Sequence, residues 1–241
     1  MSGGKPGVVA DNLAVARWLF LAVLLLPTLP SAAVARPVVV ELFTSEACSS
    51  CPPADLLLGR LKTEQKDLLA LDLHVTYWNG SGWTDPYSLG AATERQEWYT
   101  DLKHSNELYT PEAVVDGETD LVGSDRAAIL EAIARARHNA NEDAVPLRIT
   151  LDSGTVRVAV GRGSGPARLW LFGYDDTHTT HIGGGENTGA TLTEVNVVRS
   201  ITPVGMWRGD ARSFALARPK GAHLALVLQR DDGSIIGAAR D

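Results

Sequence analysis

The sequence predicts an α/β domain over 36–140 followed by an all-β, sandwich-like domain over 145–241, behind a leader over 1–35. Three observations predict it. Strand and helix signals alternate through residues 37–140. The only two cysteines, Cys48 and Cys51, stand two residues apart where a strand gives way to a helix. Beyond the polar stretch Asn139-Ala140-Asn141-Glu142-Asp143, the hydrophobic period changes to two.

In the first half, Val38 to Phe43 reads as a buried strand, and Ala54, Leu57, Leu58 and Leu61 mark a helix at i, i+3, i+4, i+7. Pro52 and Pro53 remove two amide donors, so the first turn of that helix is expected to be irregular. Leu68 to Trp78 is apolar enough for a central strand, which Asn79-Gly80-Ser81-Gly82 breaks. A second helix is expected from Leu89 to Lys103. Ala113-Val114-Val115, the Asp116-Gly117 turn and Leu121-Val122 read as a hairpin. A last helix from Ser124 to His138 places Ala128, Ile129, Ala132, Ile133 and Ala136 on one face, with Glu131 and Arg135 paired on the other. The order β-α-β-α-β-β-α is that of thioredoxin, so the first domain is expected to be thioredoxin-like. In the second half, alternation at 146–151, 155–160, 168–172, 192–198, 213–217 and 224–228, with Ile235-Ile236, gives about seven short strands and no helix.

The leader carries Lys5 and Arg17 ahead of the unbroken apolar run Trp18 to Leu26, which Pro27 and Pro30 end. Ala33-Val34-Ala35 matches the small-x-small cleavage rule. The run is well short of the roughly 20 residues that span a bilayer. A signal peptide cut after Ala35 is therefore expected, with an uncleaved anchor as the alternative. The location is then periplasmic or secreted, with no stable membrane insertion after cleavage. A net charge of −7 without a basic run argues against nucleic acid and anionic membrane surfaces as partners. Outside the cytoplasm, disulfides persist and a thiol pair can make, shuffle or reduce them.

A C-x-x-C at a strand-to-helix junction puts its first thiol near a helix N-terminus, where the dipole favours thiolate. A structural disulfide is the weaker reading, because so small a loop constrains the unfolded chain little. A closed zinc site is also weaker, since it needs two further ligands and no second pair exists. Cys48 is expected to attack and Cys51 to resolve. The cofactor is then none beyond the redox-active disulfide, and the partners are protein thiols and disulfides or a redox partner protein. Thr110-Pro111, just before the third strand, is expected to be cis and to shape the partner site.

Glu41 is a candidate buried acid beneath the cysteines, or simply a residue of the strand face. His74 interrupts an apolar run and reads as a core histidine. Its alternative is a charge partner or, with Cys48 and Cys51, a ligand to Cu(I) in a non-catalytic envelope binding module, since soft thiolates select that ion. His178-Thr179-Thr180-His181 has metal-like spacing but lies in a Gly-rich stretch with no third ligand. Gly183-Gly184-Gly185 lacks the flanking strand and helix of a phosphate loop and reads as a turn.

The run Glu41 to Asp55, with His74-Val75-Thr76-Tyr77-Trp78, Gly82-Trp83-Thr84-Asp85-Pro86, Glu94-Arg95-Gln96, Tyr109-Thr110-Pro111, Gly185-Glu186-Asn187-Thr188-Gly189 and Asn196-Val197-Val198-Arg199, resembles the exported bacterial family called "domain of unknown function 1223". The resemblance covers nearly all of the chain beyond the leader. It implies a thioredoxin-like fold with a β-rich C-terminal extension, and export, and it supplies no reaction. Asn79-Gly80-Ser81 stands where a more acidic or aromatic loop is expected. Glu186, Asn187 and Arg199 are expected to lie against the first domain, locking the halves together or walling the cysteine cleft.

Overall fold

The computed structural model describes residues 1–4, 36–80, 82–105, 107–140 and 143–241. The expected leader, with its apolar run and cleavage site, lies outside the described residues. The described residues from 36 onward form one compact unit. Its elements are β1 (Val38–Thr44), α1 (Pro52–Glu64), β2 (Leu68–His74), α2 (Gly90–Leu102), β3 (Glu112–Val115), β4 (Thr119–Val122) and α3 (Arg126–Asn139). There follow β5 (Leu147–Asp152), β6 (Thr155–Val160), β7 (Ala167–His181), β8 (Thr191–Trp207), β9 (Arg212–Ala217), β10 (His223–Gln229) and β11 (Ile235–Arg240).

The expected pair of domains, an α/β thioredoxin-like one and a separate all-β sandwich-like one, does not form. Strands from both halves make a single mixed sheet of eight, in the order β11-β10-β7-β8-β2-β1-β3-β4. Eleven strands against three helices make the described chain mostly β. The physical reason lies at the edge of β2. β1 and β2 run parallel, with Val38 opposite Leu68 and Thr44 opposite His74. Every residue of β2 is buried, which an open sheet edge would not allow. The long β7–β8 hairpin fills that edge. Val197 bridges Asp72 in parallel, and Asn196 Nδ2 donates to the Ala70 carbonyl at 2.8 Å.

Alternation along the strands divides the core between the two faces of the sheet. Val39 and Phe43 join a cluster with Ala92 and Tyr99 of α2. Val38, Val40 and Leu42 join another with Leu58 and Leu61 of α1 and Ile129 and Ile133 of α3. At the other end, Leu224, Leu226 and Leu228 of β10 pack on Val156, Val158 and Val160 of β6, which belongs to the three-stranded sheet β5-β6-β9. Each fully buried aliphatic side chain here contributes on the order of 1.5–3 kcal/mol.

Helix ends follow local chemistry. Asp125 caps α3 by accepting from the Ala128 amide at 3.0 Å. The irregular first turn expected of α1 is instead a helical one beginning at Pro52, after Cys51 as N-cap. Proline is tolerated at the first positions of a helix, whose amides lack intrahelical acceptors anyway.

Candidate functional site around the cysteine pair

β1 ends at Thr44, and the chain turns through Ser45–Ser50 into α1. The turn is closed by the Cys48 amide donating to Ser45 O (3.1 Å) and the Cys51 amide donating to Cys48 O (3.2 Å). Cys48 and Cys51 are joined as a disulfide, with Cα atoms 5.4 Å apart. The Thr110–Pro111 peptide is cis and lies against it. Thr110 Oγ1 donates to Cys48 Sγ at 3.2 Å and accepts from Trp78 Nε1 at 2.8 Å. Ser50 Oγ sits 3.3 Å from Cys48 Sγ and donates to the Thr110 carbonyl at 3.3 Å. Of the residues singled out in the sequence, the fold thus brings together Cys48, Cys51, Thr110 and Pro111.

Both cysteines are fully buried, and the segment after β7 helps to bury them. Asn187 Nδ2 donates to the carbonyls of Glu46 (2.8 Å) and Cys48 (2.9 Å). Glu186 Oε2 accepts from the Ser49 amide at 3.1 Å, and the Ser49 hydroxyl and amide together hold its carboxylate below the usual range. Gly184 lets this segment approach, since a Cβ there would stand 2.1 Å from the Gly82 carbonyl. Arg199 also lies against the first half, over the Tyr87 ring and 3.2 Å from Asp175, rather than at the cysteine turn. If Asn187 pins the cover, Asn187→Ala is expected to speed dithiothreitol reduction of the folded protein by roughly ten- to thirtyfold, from two lost hydrogen bonds of about 1 kcal/mol each. Stopped alkylation time courses measure this, and an unchanged rate would show that the segment does not gate the sulfurs.

Glu41 is not beneath the cysteines. It shares its strand face with Val39 and Phe43, toward α2, whereas α1 covers the face of Val40 and Leu42. There Arg95 Nε and Nη2 donate to its two carboxylate oxygens at 2.6 and 2.9 Å. The acids on the α1 face are others. Asp55, one turn after Cys51, accepts from Thr44 Oγ1 at 2.7 Å, and Asp72 of β2 and Glu194 of β8 are buried with it. Burial pushes the Asp55 carboxyl well up, helped by Asp72, raises Asp72, and pushes Glu194 to about 9.

His74 belongs to this layer. Its Nδ1 donates to Asp85 Oδ2 at 2.7 Å, and Nε2 lies 3.8 Å from Asp72 and 3.9 Å from Glu194. Burial lowers its pKa, but Asp72 and Asp85 outweigh that and hold it well above the ordinary value. Among the described residues it makes no polar contact with either sulfur. Holding Cu(I) with the cysteines would need both thiols reduced and the ring turned away from Asp85. His178 and His181, spaced like metal ligands, bond separately to Asp175 and Thr191, because residues three apart on a strand face opposite ways.

Sequence reasoning missed Ser50, Asp72, Asp85 and Glu194. Asp72 had a signal, a charge inside an apolar strand. Glu112 beside Pro111 gives a pH test. Burial raises its carboxyl to about 6, while Gln96 Nε2 donates to it at 2.6 Å. The folded state therefore keeps this proton over a range where the unfolded chain has lost it. Its contribution is present below about pH 4.5 and is lost as pH rises through about 6, on the order of 2 kcal/mol. Urea midpoints at pH 4.5 and 7 should differ less in Glu112→Gln than in wild type; an equal difference would contradict this.

Among the described residues, no helix is long and apolar enough to cross a membrane. Comparison with curated proteins finds no match. The crystal structure of a protein from Agrobacterium tumefaciens is 30% identical, over 87% of this chain and 95% of that one, with a TM-score of 0.75. HBP35 of Porphyromonas gingivalis is 13% identical over 87% and 76% of the two chains, with a TM-score of 0.58, a likeness of fold alone. The family profile described as "Protein of unknown function (DUF1223)" matches residues 39–229, and the chain belongs to that family.

Proposed function

We propose that this protein is an exported thiol–disulfide oxidoreductase acting through Cys48 and Cys51 on protein or small-thiol substrates. The observation that carries the reading is the position of the disulfide. It closes the turn into α1, at the positive end of the helix dipole, with the Thr110 hydroxyl 3.2 Å from Cys48 Sγ.

Acting as oxidant, the protein is attacked at Cys48 Sγ by a substrate thiolate. The Cys48–Cys51 bond breaks, a substrate–Cys48 bond forms, and Cys51 leaves as thiolate. A second substrate thiolate then attacks the substrate sulfur of the mixed disulfide and releases Cys48. The substrate gains a disulfide, and its two electrons stay on the Cys48–Cys51 dithiol. A partner disulfide reoxidises the pair by the same steps in reverse order. Thr110 and Ser50 hydroxyls are placed to hydrogen-bond a Cys48 thiolate.

Burial of both sulfurs favours a second reading, a disulfide that only braces the loop. The two differ in the folded state. An exchanging pair is reduced by dithiothreitol without unfolding and catalyses insulin reduction; a brace resists reduction until the protein unfolds. Export rests on the apolar run Trp18 to Leu26 and the Ala33-Val34-Ala35 site. Recovery of the protein from the periplasm or medium with Arg36 as its first residue supports it, and a cytoplasmic, uncut chain would refute it.

A further inference from the structure

We propose that His74, Asp72 and Glu194 are the inner ligands of a divalent metal site of the zinc or manganese class, buried between β2, β8 and α1. The inference is independent of the cysteine chemistry. Asp85 Oδ2 accepts a hydrogen bond from His74 Nδ1 at 2.7 Å, and Asp85 is itself fixed by the Glu46 and Tyr87 amides, both at 2.9 Å. A carboxylate holding one ring nitrogen so that the other is presented is the usual support of a metal-bound histidine.

The presented Nε2 faces Asp72 Oδ1 at 3.8 Å and Glu194 Oε2 at 3.9 Å. Those gaps are too wide for hydrogen bonds, which close to about 2.7–3.2 Å. Among the described residues, His74 Nε2, both oxygens of Asp72 and both of Glu194 have no hydrogen-bond partner, although all three residues are buried. Buried polar atoms are almost always satisfied, and buried carboxyl groups are paired, neutralised by a proton or bound to metal. Neither Asp72 nor Glu194 has a lysine or arginine partner among the ion pairs of the described residues.

An ion between them answers all of this. Bonds of about 2.0–2.2 Å to imidazole nitrogen and carboxylate oxygen put the ligand atoms of a tetrahedral ion about 3.3–3.6 Å apart, a little closer than these gaps. No three such groups among the described residues are already set to hold a metal ion, so binding has to draw Asp72 and Glu194 in toward His74 Nε2. One imidazole and two carboxylates form a donor set suited to Zn²⁺ or Mn²⁺ and not to Cu(I), which prefers sulfur.

Because the site is closed, the full chain with its disulfide intact is unfolded in urea with a chelator, then refolded with Zn²⁺, Mn²⁺ or neither. One equivalent retained after desalting is expected for at least one ion, with a raised urea midpoint. Glu194→Gln and Asp72→Asn should lose the ion, and Asp85→Asn should bind it about ten- to a hundredfold more weakly. The Cys48→Ser/Cys51→Ser protein should keep it. Circular dichroism of Glu194→Gln shows whether that variant folds; should it fail to, Asp85→Asn carries the test. The proposal is overturned if folded wild type retains neither ion, if retention survives in folded Glu194→Gln and Asp85→Asn alike, or if it vanishes with the cysteines.

Discussion

Arg95→Met is expected to destabilise the protein by about 3–5 kcal/mol, the usual cost of stranding one member of a buried ion pair. Arg95 is buried on α2, grips both oxygens of Glu41 on β1, and donates to Gln229 Oε1 on β10 at 2.9 Å. Tyr99 OH donates to Glu41 Oε2 at 2.5 Å, and Gln229 Nε2 donates to Tyr99 OH at 2.8 Å. The guanidinium also stands over Phe172 of β7, 5.1 Å from the ring centre. One side chain therefore ties the first strand to the C-terminal half of the same sheet. Without it, Glu41 is left fully buried with the Tyr99 hydroxyl but no counter-charge. Urea unfolding measures the loss, and the double variant Glu41→Gln/Arg95→Met should recover part of it. A loss below about 1 kcal/mol would mean that the network is not what binds the halves.

Cys48→Ser is expected to abolish thiol–disulfide exchange, reducing insulin turnover to the rate of dithiothreitol alone. Cys51→Ser should instead retain one round of chemistry. Its Cys48 thiolate can attack a substrate disulfide and release one substrate thiolate, but no second thiol resolves the product, so a mixed disulfide accumulates. The asymmetry follows from placement. Thr110 and Ser50 surround Cys48 Sγ, whereas Cys51 is the N-cap residue from which α1 starts. Equal residual activity in both variants would contradict the roles assigned here.

The elements of the first half were legible because each is written in a local period. The apolar run of β1, the i, i+3, i+4 spacing of α1 and the Asp116-Gly117 turn need no distant partner. What escaped was the joining of the halves, which is a pairing between strands far apart in sequence. The end of β7, Gly173 to His181, is polar and alternates on a partly exposed face, so it read as loop rather than as nine more residues of strand. The bridge between β2 and β8 rests on Asp72 opposite Val197 and on the Asn196 side chain, and neither Asp72 nor Asn196 has a hydrophobic signature.

The candidate site divides the same way. Cys48, Cys51 and Thr110-Pro111 were legible from spacing and order. Counting along the chain left Glu41 either beneath the cysteines or on the strand face, and the pleat of β1 turns it toward α2. His74 was singled out, but the carboxylates that give it meaning come from β2, β8 and the loop holding Asp85, and only the fold assembles them.

The central claim, that Cys48 exchanges with thiols in the folded protein, is tested most directly by trapping. Native Cys51→Ser protein is incubated with 5,5′-dithiobis(2-nitrobenzoic acid) or an oxidised peptide, and intact mass is read alongside circular dichroism. A single adduct at Cys48, formed while the fold stays intact and absent in Cys48→Ser/Cys51→Ser, is the predicted result. A Cys48 that stays unmodified until the protein unfolds would contradict the account and leave the disulfide as a brace.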